Sequence, residues 1–154
     1  MTIHGANLPD KSMPKRLAVL ITGLGFLTIS VGLLHFAMMP KLLRLLTARG
    51  GPEARSFIVP MFYINHIGSG VFLLVLGFVL TLAGRRGIAR AEKWAAWCAV
   101  CFGIALLLMV AVFLSTLPPI FLRGRYFQMA LAALATVGLL AAIPVLLNWR
   151  VFHD

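Results

Sequence analysis

Acidic side chains are almost missing from this chain: Asp10, Glu53, Glu92 and Asp154 are the only four in 154 residues. Charge of either sign is scarce too, at 12% of residues against roughly 25% in an average soluble domain. The hydrophobic fraction is 61% and the mean hydropathy +0.98, so the chain lacks the polar surface that an ordinary water-soluble fold needs. Cysteine is limited to Cys98 and Cys101, both inside an apolar stretch, which excludes a small secreted domain stapled by disulfides. No complete catalytic motif is present either.

What the chain does have is four long apolar runs, at residues 17–39, 59–83, 94–117 and 126–148, none of which contains Asp, Glu, Lys or Arg. A helix rising 1.5 Å per residue needs about 20 residues to cross a hydrocarbon layer roughly 30 Å thick, and each run is long enough. The reading is an all-α, polytopic integral membrane protein: an antiparallel four-transmembrane-helix bundle over residues 17–149, between tails at 1–16 and 150–154. The first run follows Lys11, Lys15 and Arg16 as a signal peptide would, but it is long for one and lacks a cleavage pattern. It reads as a retained span.

Lys and Arg outnumber the acids by 14 to four, for a net charge of +10 and a pI near 11.2. These cations lie between apolar runs, where they meet lipid headgroups, so the expected partner is the bilayer and not nucleic acid. Eight fall on the side of the N-terminus (Lys11, Lys15, Arg16, Arg85, Arg86, Arg90, Lys93, Arg150) and six on the other. Four crowd into the short turn at residues 85–93, which places both termini in the cytoplasm of, most simply, a bacterial inner membrane. Trp94, Trp97 and Trp149 then form an aromatic belt at that interface. After the first span, residues 41–46 alternate leucine with basic residues as a short interfacial helix would, before Gly50-Gly51-Pro52 breaks it. Pro40 to Arg44 and Pro119 to Arg123 share a Pro-x-x-Leu-Arg pattern that fits duplication or chance.

Two rows of small residues predict how the first two spans meet. Thr22, Gly25, Thr28, Gly32, His35 and Met39 share one face of the first; His66, Gly70, Leu73, Gly77, Thr81 and Gly84 share one face of the second. Pairing Gly32 with Gly70 and Gly25 with Gly77 brings His35 level with His66, near the non-cytoplasmic end. Tyr63, Asn65, His66 and Ser69 open the second span, Ser115 and Thr116 close the third, and Tyr126 and Gln128 open the fourth, all at that same end.

Polar groups inside a membrane are costly and often functional, so these residues are candidates for a ligand-binding cup: His35, Tyr63, Asn65, His66, Ser69, Tyr126 and Gln128. The two histidines alternatively serve as interhelical hydrogen-bonding glue. As a site, the cup suits a molecule with a polar head and greasy body, a quinone or a lipid, or a haem held by two axial imidazoles. Two histidines with Met38 or Met39 suit copper less well, since no carboxylate or third imidazole lies in the spans. Arg44, Arg49, Arg55, Arg123 and Arg125 form either a solvated rim or an anion-attracting collar. Cys98-Ala99-Val100-Cys101 has the C-x-x-C spacing of thiol oxidoreductases, but no second pair exists to relay electrons, and structural cysteines are the better reading. A binding or accessory subunit fits better than a self-sufficient enzyme.

Gly32-Leu33-Leu34-His35-Phe36, the Gly70-Val71-Phe72-Leu73-Leu74-Val75-Leu76-Gly77 run and the basic Arg85-Arg86 turn together resemble the DoxX-like group of small four-helix membrane proteins. The resemblance implies a four-helix fold and an accessory role beside a membrane oxidoreductase, and it implies no catalytic residue. This chain carries His66 where that group often has an acidic residue.

Overall fold

The computed structural model describes residues 12–49, 59–116 and 125–152. They form four helices: α1 (Met13–Arg49), α2 (Val59–Leu82), α3 (Lys93–Thr116) and α4 (Arg125–Leu147). No strand occurs among the described residues. Four helical stretches are long and apolar enough to cross a membrane: Met13–Leu45, Val59–Arg90 (α2 with the turns that follow it), Lys93–Thr116 and Phe127–Leu147. The chain is a multi-pass, all-helical membrane protein. Residues 1–11, with most of the N-terminal tail, lie outside the described residues, as do the Gly50-Gly51-Pro52 break, Arg55, residues 119–123 and the last two residues.

Hydrocarbon offers no partner to a bare peptide group, so apolar runs of this length satisfy their backbone internally as helices. That rule also explains a difference from the sequence reading. The first span and the basic segment at 41–46 are one continuous helix, with Pro40 inside it. Proline removes one N–H and leaves the carbonyl four residues earlier, that of Phe36, without its usual donor. The residues that follow are Lys, Leu and Arg, all strong helix formers, and they continue the helix past that single gap. Near its end Thr47 Oγ1 donates to the Leu43 carbonyl at 3.0 Å.

The chain divides into two compact units, Gly23–Thr81 and a second made of Met1–Thr22 with Leu82–Asp154. In the first, α1 and α2 meet backbone to backbone. A Cβ built on Gly25 would touch the Gly77 carbonyl at 2.8 Å, and one on Gly77 would lie 2.7 Å from the Ile29 nitrogen. One on Gly32 would lie 3.0 Å from the Gly70 carbonyl, so the numbering rises along one helix as it falls along the other. Leu24, Gly25, Thr28, Gly32, Gly70, Gly77 and Leu80 are buried along this seam. Thr28 and Thr81 lie beside it at no polar cost, because each hydroxyl donates to its own helix, to Leu24 and Gly77 respectively, at 2.8 Å.

In the second unit the contact between α3 and α4 is built largely from small residues. Ala95, Ala96, Ala99 and Gly103 of α3 are buried, as are Gly138, Ala141, Ala142 and Val145 of α4, and a Cβ on Gly103 would lie 2.5 Å from the Gly138 carbonyl. Close backbone approach again supplies the packing that lipid cannot. The link from α2 to α3 is unusual. Ala83–Gly87 form a π-helical turn, Ile88–Arg90 a 3₁₀ turn, and Ala91 adopts the left-handed conformation with φ 58°. Ala91 N–H donates to the Ile88 carbonyl and Glu92 N–H to the Gly87 carbonyl, both at 3.0 Å, which is the Schellman pattern of helix termination with alanine in the position that favours glycine.

Candidate functional site

The histidine pair follows from the glycine seam. On α1, His35 lies one turn beyond Gly32; on α2, His66 lies one turn before Gly70. With Gly32 against Gly70, the helices are too close to separate the two imidazoles. Their ring centroids are 4.9 Å apart and the planes are tilted by 34°. Both residues are half-buried.

The hydrogen bonds define how each ring is presented. His35 Nδ1 lies 3.1 Å from the Val31 carbonyl, an oxygen that only accepts, so Nδ1 carries the proton and donates. In the neutral imidazole this leaves Nε2 as the lone-pair nitrogen. His66 makes no such bond to its own helix, and the backbone of His35 is the main-chain group that its ring senses. Its Nε2 is buried and meets no hydrogen-bond partner among the described residues. An unmet buried polar atom costs about 1–3 kcal/mol, so a donor or acceptor brought to this nitrogen gains that much beyond an ordinary contact.

Phe62 completes the arrangement. Its ring stacks on His66 with centroids 4.8 Å apart and planes 19° from parallel, so the imidazole packs against both Phe62 and His35. Phe36 packs against α2 one turn beyond His66: a Cβ on Gly70 would meet its ring at 2.8 Å. Neither phenylalanine stood out in the sequence, where each is one apolar residue among many. Phe62 lies four residues before His66, and that spacing on a helix is the signal that places it on the same face.

The other candidates are distributed as follows. Tyr63 and Ser69 are half-buried on α2 in the same unit as the histidines, and Asn65 is exposed. Tyr126 and Gln128 belong to the first turn of α4, in the other unit; Gln128 is exposed, and the Tyr126 side chain lies outside what is described. Ser115 and Thr116 at the end of α3 both donate to the Val112 carbonyl, at 3.0 and 2.7 Å. Of the candidate residues, the structure thus brings His35 and His66 together, with Phe62 beside them. Among the described residues no three of His, Cys, Asp and Glu gather as a metal site would require. Cys98, half-buried, and Cys101, exposed, are free thiols on α3.

Comparison with family models, with curated proteins and with solved structures returned no match.

Proposed function

We propose that the chain is a binding or accessory subunit of a membrane, and that His35 and His66 receive the polar head of a largely apolar molecule, a quinone or quinone-like lipid. One observation carries this reading: a buried imidazole nitrogen without a hydrogen-bond partner, His66 Nε2, belongs to a ring that packs against two other rings, on helices whose outer surfaces are apolar. Imidazole both donates to a carbonyl and accepts from a hydroxyl, so it suits either oxidation state of a quinone head. The flanking rings supply flat apolar walls of the kind such pockets use. Tyr63 and Ser69, one turn either side of His66 on α2, are the further polar candidates of that unit, with Asn65 next to it.

Haem between the two imidazoles is the poorer alternative. Axial ligation places an iron and its macrocycle between the rings, and rings 4.9 Å apart on helices joined by glycine contacts leave no such gap. The resemblance to DoxX-like proteins supports an accessory role beside a membrane oxidoreductase. The concentration of cations at residues 85–93 supports an antiparallel bundle with both termini in the cytoplasm of a bacterial inner membrane. A reporter fused after Asp154 tests the orientation: fluorescence from a cytoplasm-only fusion is expected, and an active alkaline phosphatase fusion there would invert it.

The binding proposal is tested by organic extraction of protein purified in mild detergent, followed by mass spectrometry. A quinone or lipid retained in stoichiometric amount by the native chain, and lost from His66→Leu with the fold intact, is the expected result. Equal retention by both proteins would remove the histidine from the site.

A further inference from the structure

The unit containing α3 and α4 has a second chemical feature, built from its own residues alone. Lys15, Arg16, Arg85, Arg86, Lys93 and Arg150 are all exposed. Packing brings their elements together. A Cβ on Gly84 would lie 2.7 Å from the Thr22 nitrogen and 3.1 Å from the Ala18 carbonyl of α1; one on Gly87 would touch Ala95 and, at 2.9 Å, Trp94 of α3. Trp97 of α3 meets Trp149, just past α4, edge to face with centroids 4.8 Å apart.

Glu92 is the one carboxylate among the described residues, and both of its oxygens are engaged. Oε1 lies 3.9 Å from Arg90 Nη1, and Oε2 accepts the indole N–H of Trp94. The six cations above thus have no carboxylate to neutralise them among the described residues. The π-helical turn adds a structural reason for their placement. Its two glycines, Gly84 and Gly87, are wedged against α1 and α3, and the residues between them are Arg85 and Arg86, both exposed. Such turns often mark functional positions, and guanidinium groups present the forked donors that match a phosphate. Next to the cations, Trp94 and Trp97 are 45% and 55% exposed, the amphipathic rings that seat at the level where headgroup meets acyl chain.

We propose that this end of the molecule binds the phosphodiester headgroup of an anionic phospholipid, with Arg85 and Arg86 as the phosphate ligands and Trp94 and Trp97 against the upper acyl chains. The charge, the uncompensated arginine pair on a pinned turn and the adjoining indoles all match that one occupant. A nucleic acid would supply phosphate without acyl chains and would leave the indoles unused.

All three tryptophans, Trp94, Trp97 and Trp149, are in this region, so their emission reports on it directly. The native chain is reconstituted in phosphatidylcholine vesicles containing a trace of dansyl-labelled phosphatidylglycerol or dansyl-labelled phosphatidylcholine, and energy transfer from tryptophan gives the relative association of each lipid. A preference for phosphatidylglycerol of about fivefold or more is expected from the attraction of each basic residue to an anionic surface. R85Q/R86Q should lower the ratio to near one, whereas K41Q/R44Q, toward the other end of α1, should leave it unchanged. Should R85Q/R86Q fail to fold, the native chain in about 1 M salt serves instead, because screening there shortens electrostatic reach to about 3 Å and the ratio should fall likewise. A native ratio near one, a ratio unaffected by R85Q/R86Q in a folded protein, or a ratio unaffected by salt would each overturn the proposal.

Discussion

At the scale of single residues, glycine is where this sequence is least tolerant, and position decides by how much. Gly77 faces backbone, the Ile29 nitrogen at 2.7 Å and the Gly25 carbonyl at 2.8 Å, and backbone cannot swing aside. Gly68, on the same helix, has nothing within 4 Å of where a Cβ would stand. Gly77→Leu should therefore destabilise the protein by about 1–3 kcal/mol or more, the cost of overfilling a packed seam. Gly68→Ala should be neutral or stabilise by up to about 1 kcal/mol, through helix propensity alone. Unfolding in mixed detergent micelles measures both, and equal effects would mean that the seam is not held by close approach. These glycines were legible in the sequence because small residues recur at helical spacing on both spans. The stacking of Phe62 on His66 was not, since an aromatic in an apolar run reads the same whether it faces lipid or a neighbour. Nor was the direction of the threonine hydroxyls, which turn back to carbonyls of their own helix instead of entering a shared polar network.

At the scale of elements, the spans were legible almost completely, because hydropathy and length are what hydrocarbon selects, while their ends were not. Pro40 reads as a stop, yet α1 passes through it, since one missing donor is a local loss and the downstream residues favour helix. Arg85-Arg86 reads as part of a short basic turn between spans, and the structure makes Ala83–Gly87 a π-helical turn held on both sides by glycine contacts. Its termination depends on Ala91 at φ 58°, a conformation that costs a residue with a Cβ roughly 1–2 kcal/mol and glycine almost nothing. Ala91→Gly should therefore raise stability, by about 1 kcal/mol after allowing for the greater freedom glycine has when unfolded. A rise in the detergent melting temperature checks this; a fall would mean that the turn does not end as the Schellman pattern describes.

At the scale of the whole molecule, the apolar surface is the product of a solvent that is itself apolar. Phe26, Phe72, Phe78, Ile104 and Leu108 are exposed on helices whose buried residues are mostly glycine, alanine and leucine, the reverse of a soluble bundle. In such a surface polar atoms are conspicuous, and the account rests on one of them: His66 Nε2, buried beside His35 and Phe62 and proposed to receive a quinone-like head. The sequence placed the two histidines level with each other, but it held no information on which ring nitrogen is anchored and which is left over. The most direct test is nitrogen NMR of protein labelled only at histidine, in detergent, during titration with a short-chain quinone. Four histidines make the spectrum assignable by single substitutions. The account predicts a saturable shift of the His66 Nε2 resonance, with smaller movement at His35 Nδ1, which keeps its proton and goes on donating it to the Val31 carbonyl. A His66 Nε2 resonance unmoved at saturating quinone would contradict it.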